Sequence, residues 1–162
     1  MILMFLPVTC FSQKPKVDYL IFGVYCGECI GHCATMYKVE EEKIIVDTSN
    51  AYFWHNYWHN YPGRNDTALF TGCEGTNGLY LLAKPVMDSI PVSLLDSNLH
   101  SCTFGAPDSR DQCGIYLEIS YNGKVKKFYI DTDTSDLPPW LLGYQALIKK
   151  TERQFYGTHW CK

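Results

Sequence analysis

Short catalytic signatures are missing from this chain of 162 residues. It holds no G-x-S-x-G elbow, no H-E-x-x-H helix, no P-loop and no glycine-rich dinucleotide fingerprint. The commonest serine-hydrolase, zinc-protease and nucleotide chemistries therefore have no motif to rest on. Positive charge is also scarce: 14 Lys and Arg stand against 17 Asp and Glu, for a net charge of −3. Without a basic stripe to displace counterions from a phosphate backbone, nucleic acid is a poor partner. No apolar run is long enough for a transmembrane segment.

Apolar material for a core is present. Hydrophobic residues make up 46% of the chain, which favours one packed domain over disorder. Aromatics reach 15%, with 12 Tyr and 4 Trp, so rings either fill a core or furnish a contact surface. The first twelve residues, MILMFLPVTCFS, are apolar and then small, as in a secretory signal peptide cleaved before Gln13. They carry no basic n-region. The expectation is a signal peptide over 1–12 and a single α+β domain over 13–162, in a secreted or periplasmic location. Lipidation of Cys10 is the alternative, although Pro7-Val8-Thr9-Cys10 makes a poor lipobox.

In an exported chain, cysteines read as disulfides. Removal of Cys10 leaves Cys26, Cys29, Cys33, Cys73, Cys102, Cys113 and Cys161 as candidates. Cys102 and Cys113 flank the turn-rich stretch FGAPDSRDQ and are the expected pair, while one of Cys26, Cys29 and Cys33 should reach Cys73 or Cys161. The C-G-E-C-I-G-H-C cluster has two further readings. Cys26, Cys29 and Cys33 with His32 and Cys73 supply enough ligands for zinc, but no second knuckle stands at finger spacing. Cys26 and Cys29 have the C-x-x-C spacing of a redox pair, though no helix-forming sequence follows.

Val17 to Tyr25 is apolar on both alternating faces, the pattern of a central strand covered on both sides. Thr35 to Val39 and Lys43 to Asp47 read as strands, and Ala68 to Thr71 as a short one. Gly72 to Gly78 reads as a turn. Lys84 to Leu95 contains a short helix with Pro85 in its first turn. Asn122-Gly123 is a strong two-residue turn signal. It joins Gly114–Tyr121 to Lys124–Asp131 and sets Tyr116 opposite Tyr129 and Glu118 opposite Lys127. Ser135 or Asp136 should cap a last helix whose stripe is Leu137, Leu141, Tyr144 and Ile148. Asp131 to Asp136 opens like a calcium loop but departs from its sixth and twelfth positions, so a strand end and helix cap is the better reading. Hairpin followed by helix occurs in both halves, which suggests a possible ββα duplication.

Residues 50–67 form a polar-aromatic insert, expected to be a loop. W-H-N occurs at Trp54–Asn56 and again at Trp58–Asn60. Trp54, His55, Tyr57, Trp58, His59 and Tyr61 could present a binding surface for protein or glycan. The rings could instead fold back as a satellite core. His55 and His59, four residues apart, could share a helix face and hold a metal.

The string DYLIFGVYCGECIGHCATMYKV, the stretch FGAPD…QCGIYLEI after Cys102 and the ending FYIDTDTSDLPPWL together resemble an uncharacterised family of secreted Bacteroidota proteins. The likeness runs from about Val17 to Lys150 and implies export and a single domain, with no activity to carry over. The sequence thus predicts an antiparallel sheet of four or five strands with two helices on it, stapled by disulfides. Its expected role is a secreted, non-enzymatic binding or inhibitor-like module that needs no cofactor. The alternative is a metal or thiol-redox protein centred on Cys26, Cys29 and Cys33.

Overall fold

The computed structural model describes residues 16–27, 29–30, 33–47, 51–58, 70–109 and 112–156, with the side chains of Ala51, His55, Asn56 and Trp58 excepted. The expected signal peptide, Cys10 and Cys161 lie outside the described residues.

Seven strands form one sheet. Its centre is β1 (Val17–Tyr25), flanked by β2 (Ala34–Val39) and β6 (Gly114–Tyr121). Outside β2 lie β3 (Ile44–Asp47) and the edge strand β4 (Cys73–Glu74); outside β6 lie β7 (Lys124–Asp131) and the edge strand β5 (Cys102–Phe104). Every pairing is antiparallel except β5 with β7, which is parallel. Four or five strands were expected. The two extra strands have two and three residues, too few for an alternating pattern to show in sequence.

The β1 expectation holds. Leu20 and Phe22 enter one core, and Ile21 and Tyr25 enter another on the opposite face. The β6–β7 register is also as expected, with Leu117 opposite Phe128 and Glu118 opposite Lys127. Asn122 (φ 51°) and Gly123 (φ 69°) supply the left-handed pair that a type I′ turn requires.

The larger core lies beneath α2 (Asn77–Asp88), α3 (Val92–Leu95) and α4 (Pro139–Phe155). The expected stripe is buried, with Leu137 just ahead of α4 and Leu141, Tyr144 and Ile148 on it. The α4 cap differs from expectation. Pro138 takes the cap position with no side-chain bond, and Pro139 opens the helix. Asp133 instead turns the preceding loop, its Oδ1 accepting from the Ser135 N–H at 3.0 Å.

Helix α2 starts earlier than its sequence suggests. Thr76 Oγ1 accepts from the Leu79 N–H at 3.2 Å, so the glycine-rich turn expected here is an N-cap. Pro85 therefore sits inside the helix, where Val86 beside it is fully buried and burial offsets the missing hydrogen bond. Ser89–Leu95 caps the end of α2 and forms the four-residue α3, whereas the similar Asp136–Leu142 leads into the long α4. Sequence likeness between the halves is thus matched by the two hairpins and not by their helices.

The second core lies on the opposite face, beneath α1 (Ala51–Trp58). The insert was expected to be a loop; eight of its residues, Ala51–Trp58, are this helix. Asp47, buried at the end of β3, accepts from the Tyr52 N–H at 3.2 Å and places a carboxylate at the helix start. Of the Ala68–Thr71 strand, Phe70 and Thr71 are not in strand, and the first two residues lie outside the described set.

Candidate functional site

Two disulfides are described in full, Cys26–Cys113 and Cys29–Cys33. The expected Cys102–Cys113 pair does not form, and Cys102 is a free, half-buried thiol on β5. The reason is the strand order. Tyr25 pairs with Gly114 as the last step of the β1–β6 ladder, which sets Cys26 beside Cys113. Cys102 sits on the far side of β7, with two strands between it and β1. The C-x-x-C pairing of Cys26 with Cys29 does not form either. Cys73 is also disulfide-bonded, so all four sulfurs of the zinc alternative are oxidised rather than thiolate.

The insert's described aromatics divide in two. Tyr52 and Phe53 are buried in the second core, as the satellite-core reading held. Trp54 and Tyr57 are half-buried at its edge. Nothing bears on the side chains of His55 and Trp58, and His59 and Tyr61 lie outside the described residues.

Beneath α1 a carboxylate is wrapped in phenols. Glu118, 3% exposed, accepts from Tyr19 at 2.9 Å, Tyr52 at 2.8 Å and Tyr116 at 2.6 Å. Lys127 Nζ lies 3.9 Å away. Burial, reinforced by the Glu118 charge, raises all three phenols far above their usual range and keeps them neutral donors. In the sequence this carboxylate reads as half of a cross-strand pair with Lys127; the helix that covers it is not legible there. Glu118→Ala should strand two buried hydroxyls and destabilise the fold by roughly 2–4 kcal/mol, measured by urea unfolding. Glu118→Gln, which keeps acceptor capacity, should cost less.

Beside this network the rings of Tyr25, Tyr57 and Tyr129 converge, with centroids 5.9 Å (Tyr25–Tyr57), 5.7 Å (Tyr57–Tyr129) and 6.3 Å (Tyr25–Tyr129) apart. They line a cleft of about 380 Å³ whose far wall is the β5 end and following loop, Thr103, Gly105, Ala106 and Pro107. Each wall is held in place. Phe53 stacks on Tyr25 at 4.5 Å and on Tyr57 at 5.3 Å. Gly114 lacks the Cβ that would stand 2.4 Å from the Tyr25 ring, so the ring can cross the strand there. Asp131 accepts from the Ala106 N–H at 2.8 Å and the Asp133 N–H at 2.8 Å, pinning both loops with one carboxylate. Gly105 has φ 73°, and a Cβ there would meet Asp131 at 2.6 Å. Asp108 Oδ1 accepts from the Gly27 N–H at 2.7 Å and ties the same loop to the end of β1.

Searched against known proteins, the chain matches no protein family, no curated sequence and no solved structure. What the site can do therefore follows from its own geometry. Of the cleft residues, Tyr57 was a candidate from sequence. Tyr25 and Tyr129 were read as strand residues, and only the packing of α1 over the sheet brings the three together. Among the described residues no cluster of three or more His, Cys, Asp or Glu side chains is arranged to hold a metal ion. Among them, too, no helix is long and apolar enough to cross a membrane.

Proposed function

We propose that this protein is a secreted or periplasmic, non-enzymatic binding module whose site is the tyrosine cleft, and that its ligand is a saccharide unit. The observation that carries this reading is the convergence of three tyrosines on one cleft of about 380 Å³. The volume lies at the small end of ligand pockets. Tyrosine combines an apolar ring face with a polar hydroxyl, which suits the apolar face and hydroxyl edge of a sugar ring. Tyr57 and Tyr129 remain partly exposed, so their rings are open to a ligand, while Tyr25 beneath them is fixed. The loop wall adds backbone N–H and C=O groups on a segment anchored by two carboxylates, which reduces the ordering cost of binding. Disulfides indicate an oxidising compartment, which supports an extracytoplasmic location.

A glycan array probed with the purified protein, followed by calorimetric titration of the best saccharide, tests this. Tyr57→Ala and Tyr129→Ala should each weaken binding by about tenfold or more. An empty array, or affinity unchanged in both variants, contradicts the reading. Capture of a protein partner that depends on the same two rings would instead assign the cleft to peptide recognition.

A further inference from the structure

Helix α4 carries a carboxyl that none of these roles uses. Glu152 lies one turn beyond Ile148 on the buried stripe. Its Oε1 is buried and makes no hydrogen bond. Burial pushes the carboxyl up to about 8, opposed by a backbone hydrogen bond from Val24. At neutral pH it is thus a protonated acid. Packing alone would favour an apolar residue at this position, because an unpaired buried polar atom is costly.

Glu152 faces a cavity of about 250 Å³ whose wall also includes Cys26, Cys33, Thr35 and Tyr37. The titratable groups around it are Tyr37 from β2 and Tyr156 just past α4. Burial holds the Tyr37 phenol neutral. The Cys26 N–H donates to the Cys33 carbonyl at 2.7 Å and fixes these two cysteines side by side. Cys33 is half-buried against the cavity, while its disulfide partner Cys29 is exposed. An attacking sulfur can therefore approach Cys29 from solvent, and Cys33 shares its cavity wall with the acid.

We propose that Cys29–Cys33 is an exchangeable disulfide that oxidises an external dithiol, with Glu152 as the acid that protonates Cys33. One thiolate of the dithiol attacks Cys29 Sγ. The Cys29–Cys33 bond breaks and its electron pair leaves on Cys33 Sγ. The Glu152 carboxyl gives its proton to that sulfur and is later reprotonated from solvent. The second thiolate of the dithiol then attacks its own sulfur in the mixed disulfide. Cys29 leaves as a thiolate and takes a proton from water. The dithiol has become a disulfide, and its two electrons rest on Cys29 and Cys33 as thiols. Cys26–Cys113, half-buried at the end of a strand ladder, stays oxidised as scaffold.

The test is timed reduction of the full-length protein by dithiothreitol, quenched by alkylation, with each cysteine located by mass spectrometry. Cys29 and Cys33 should become alkylated at least tenfold sooner than Cys26 and Cys113. In Glu152→Gln their reduction at pH 7 should slow by tenfold or more, because an amide has no acidic proton to give. The Cys26–Cys113 rate should not change, which controls for the fold. Normalised to the thiolate present, the wild-type rate should fall above about pH 8. That profile needs no variant, so it decides the matter even where Glu152→Gln fails to fold. A wild-type rate that stays level through this range, equal rates in the two proteins at pH 7, or simultaneous reduction of both disulfides would overturn the proposal.

Discussion

Raising the pH from 5 to 9 should remove roughly 4 kcal/mol of stability through Glu152, and Glu152→Gln should abolish most of that loss. Burial raises this carboxyl from its ordinary 4.5 to about 8 in the folded protein. Between those values the native state binds a proton that the unfolded chain has released. Stability is therefore full at low pH and falls as pH rises, by about 1.4 kcal/mol per unit, until the folded group itself ionises. Most carboxylates in folded proteins act the other way and lose their contribution in acid. Glutamine mimics the protonated form, so the variant should match the wild type near pH 5 and exceed it at pH 8. Urea midpoints across the range, compared between the two proteins, cancel the contribution of every other group. Parallel curves would mean that Glu152 ionises freely.

The second large effect belongs to the long disulfide. Cys26 and Cys113 are 87 residues apart, so their bond restricts much of the unfolded chain. The chain-entropy model assigns such a closure about 4–5 kcal/mol. Cys29 and Cys33, with a separation of 4, should contribute only about 2 kcal/mol. The double variant Cys26→Ser/Cys113→Ser should therefore lose more than twice as much stability as Cys29→Ser/Cys33→Ser, read by guanidinium unfolding. It should also disturb the cleft. Cys113 precedes Gly114, over which Tyr25 lies, and Cys26 follows Tyr25 directly. Equal losses in the two variants would show that β1 and β6 hold their register without the bond.

What was legible in the sequence follows from how local each constraint is. The Asn122-Gly123 turn carries its own backbone requirement, and one turn determines eight cross-strand pairs. The central strand was legible because two faces must be covered, and the Leu20–Tyr25 segment has no polar side chain to spare. Disulfide partners were not legible. Cys113 joins Cys26 because β1 inserts between β2 and β6, a pairing between distant parts of the chain that no loop length reveals. The insert was misread because His and Asn interrupt its apolar residues, yet Phe53 and Tyr57, one turn apart, stack on one face. Glu118 and Glu152 were missed for a shared reason. Periodic patterns assign charged residues to solvent, and each of these is buried by an element packing from elsewhere. The free thiol of Cys102 likewise follows from β5 joining the sheet edge in parallel, beside β7 and away from Cys26 and Cys113.

Both the cleft and the exchange site rest on how the sulfurs are joined, and peptide mapping of the intact, non-reduced protein measures that directly. After blocking of free thiols and proteolysis, mass spectrometry should find Cys26 linked to Cys113, Cys29 linked to Cys33, and Cys102 carrying the block. A Cys102–Cys113 linkage, or Cys26 and Cys29 joined to one another, would contradict the account and leave the tyrosine cleft without its staple.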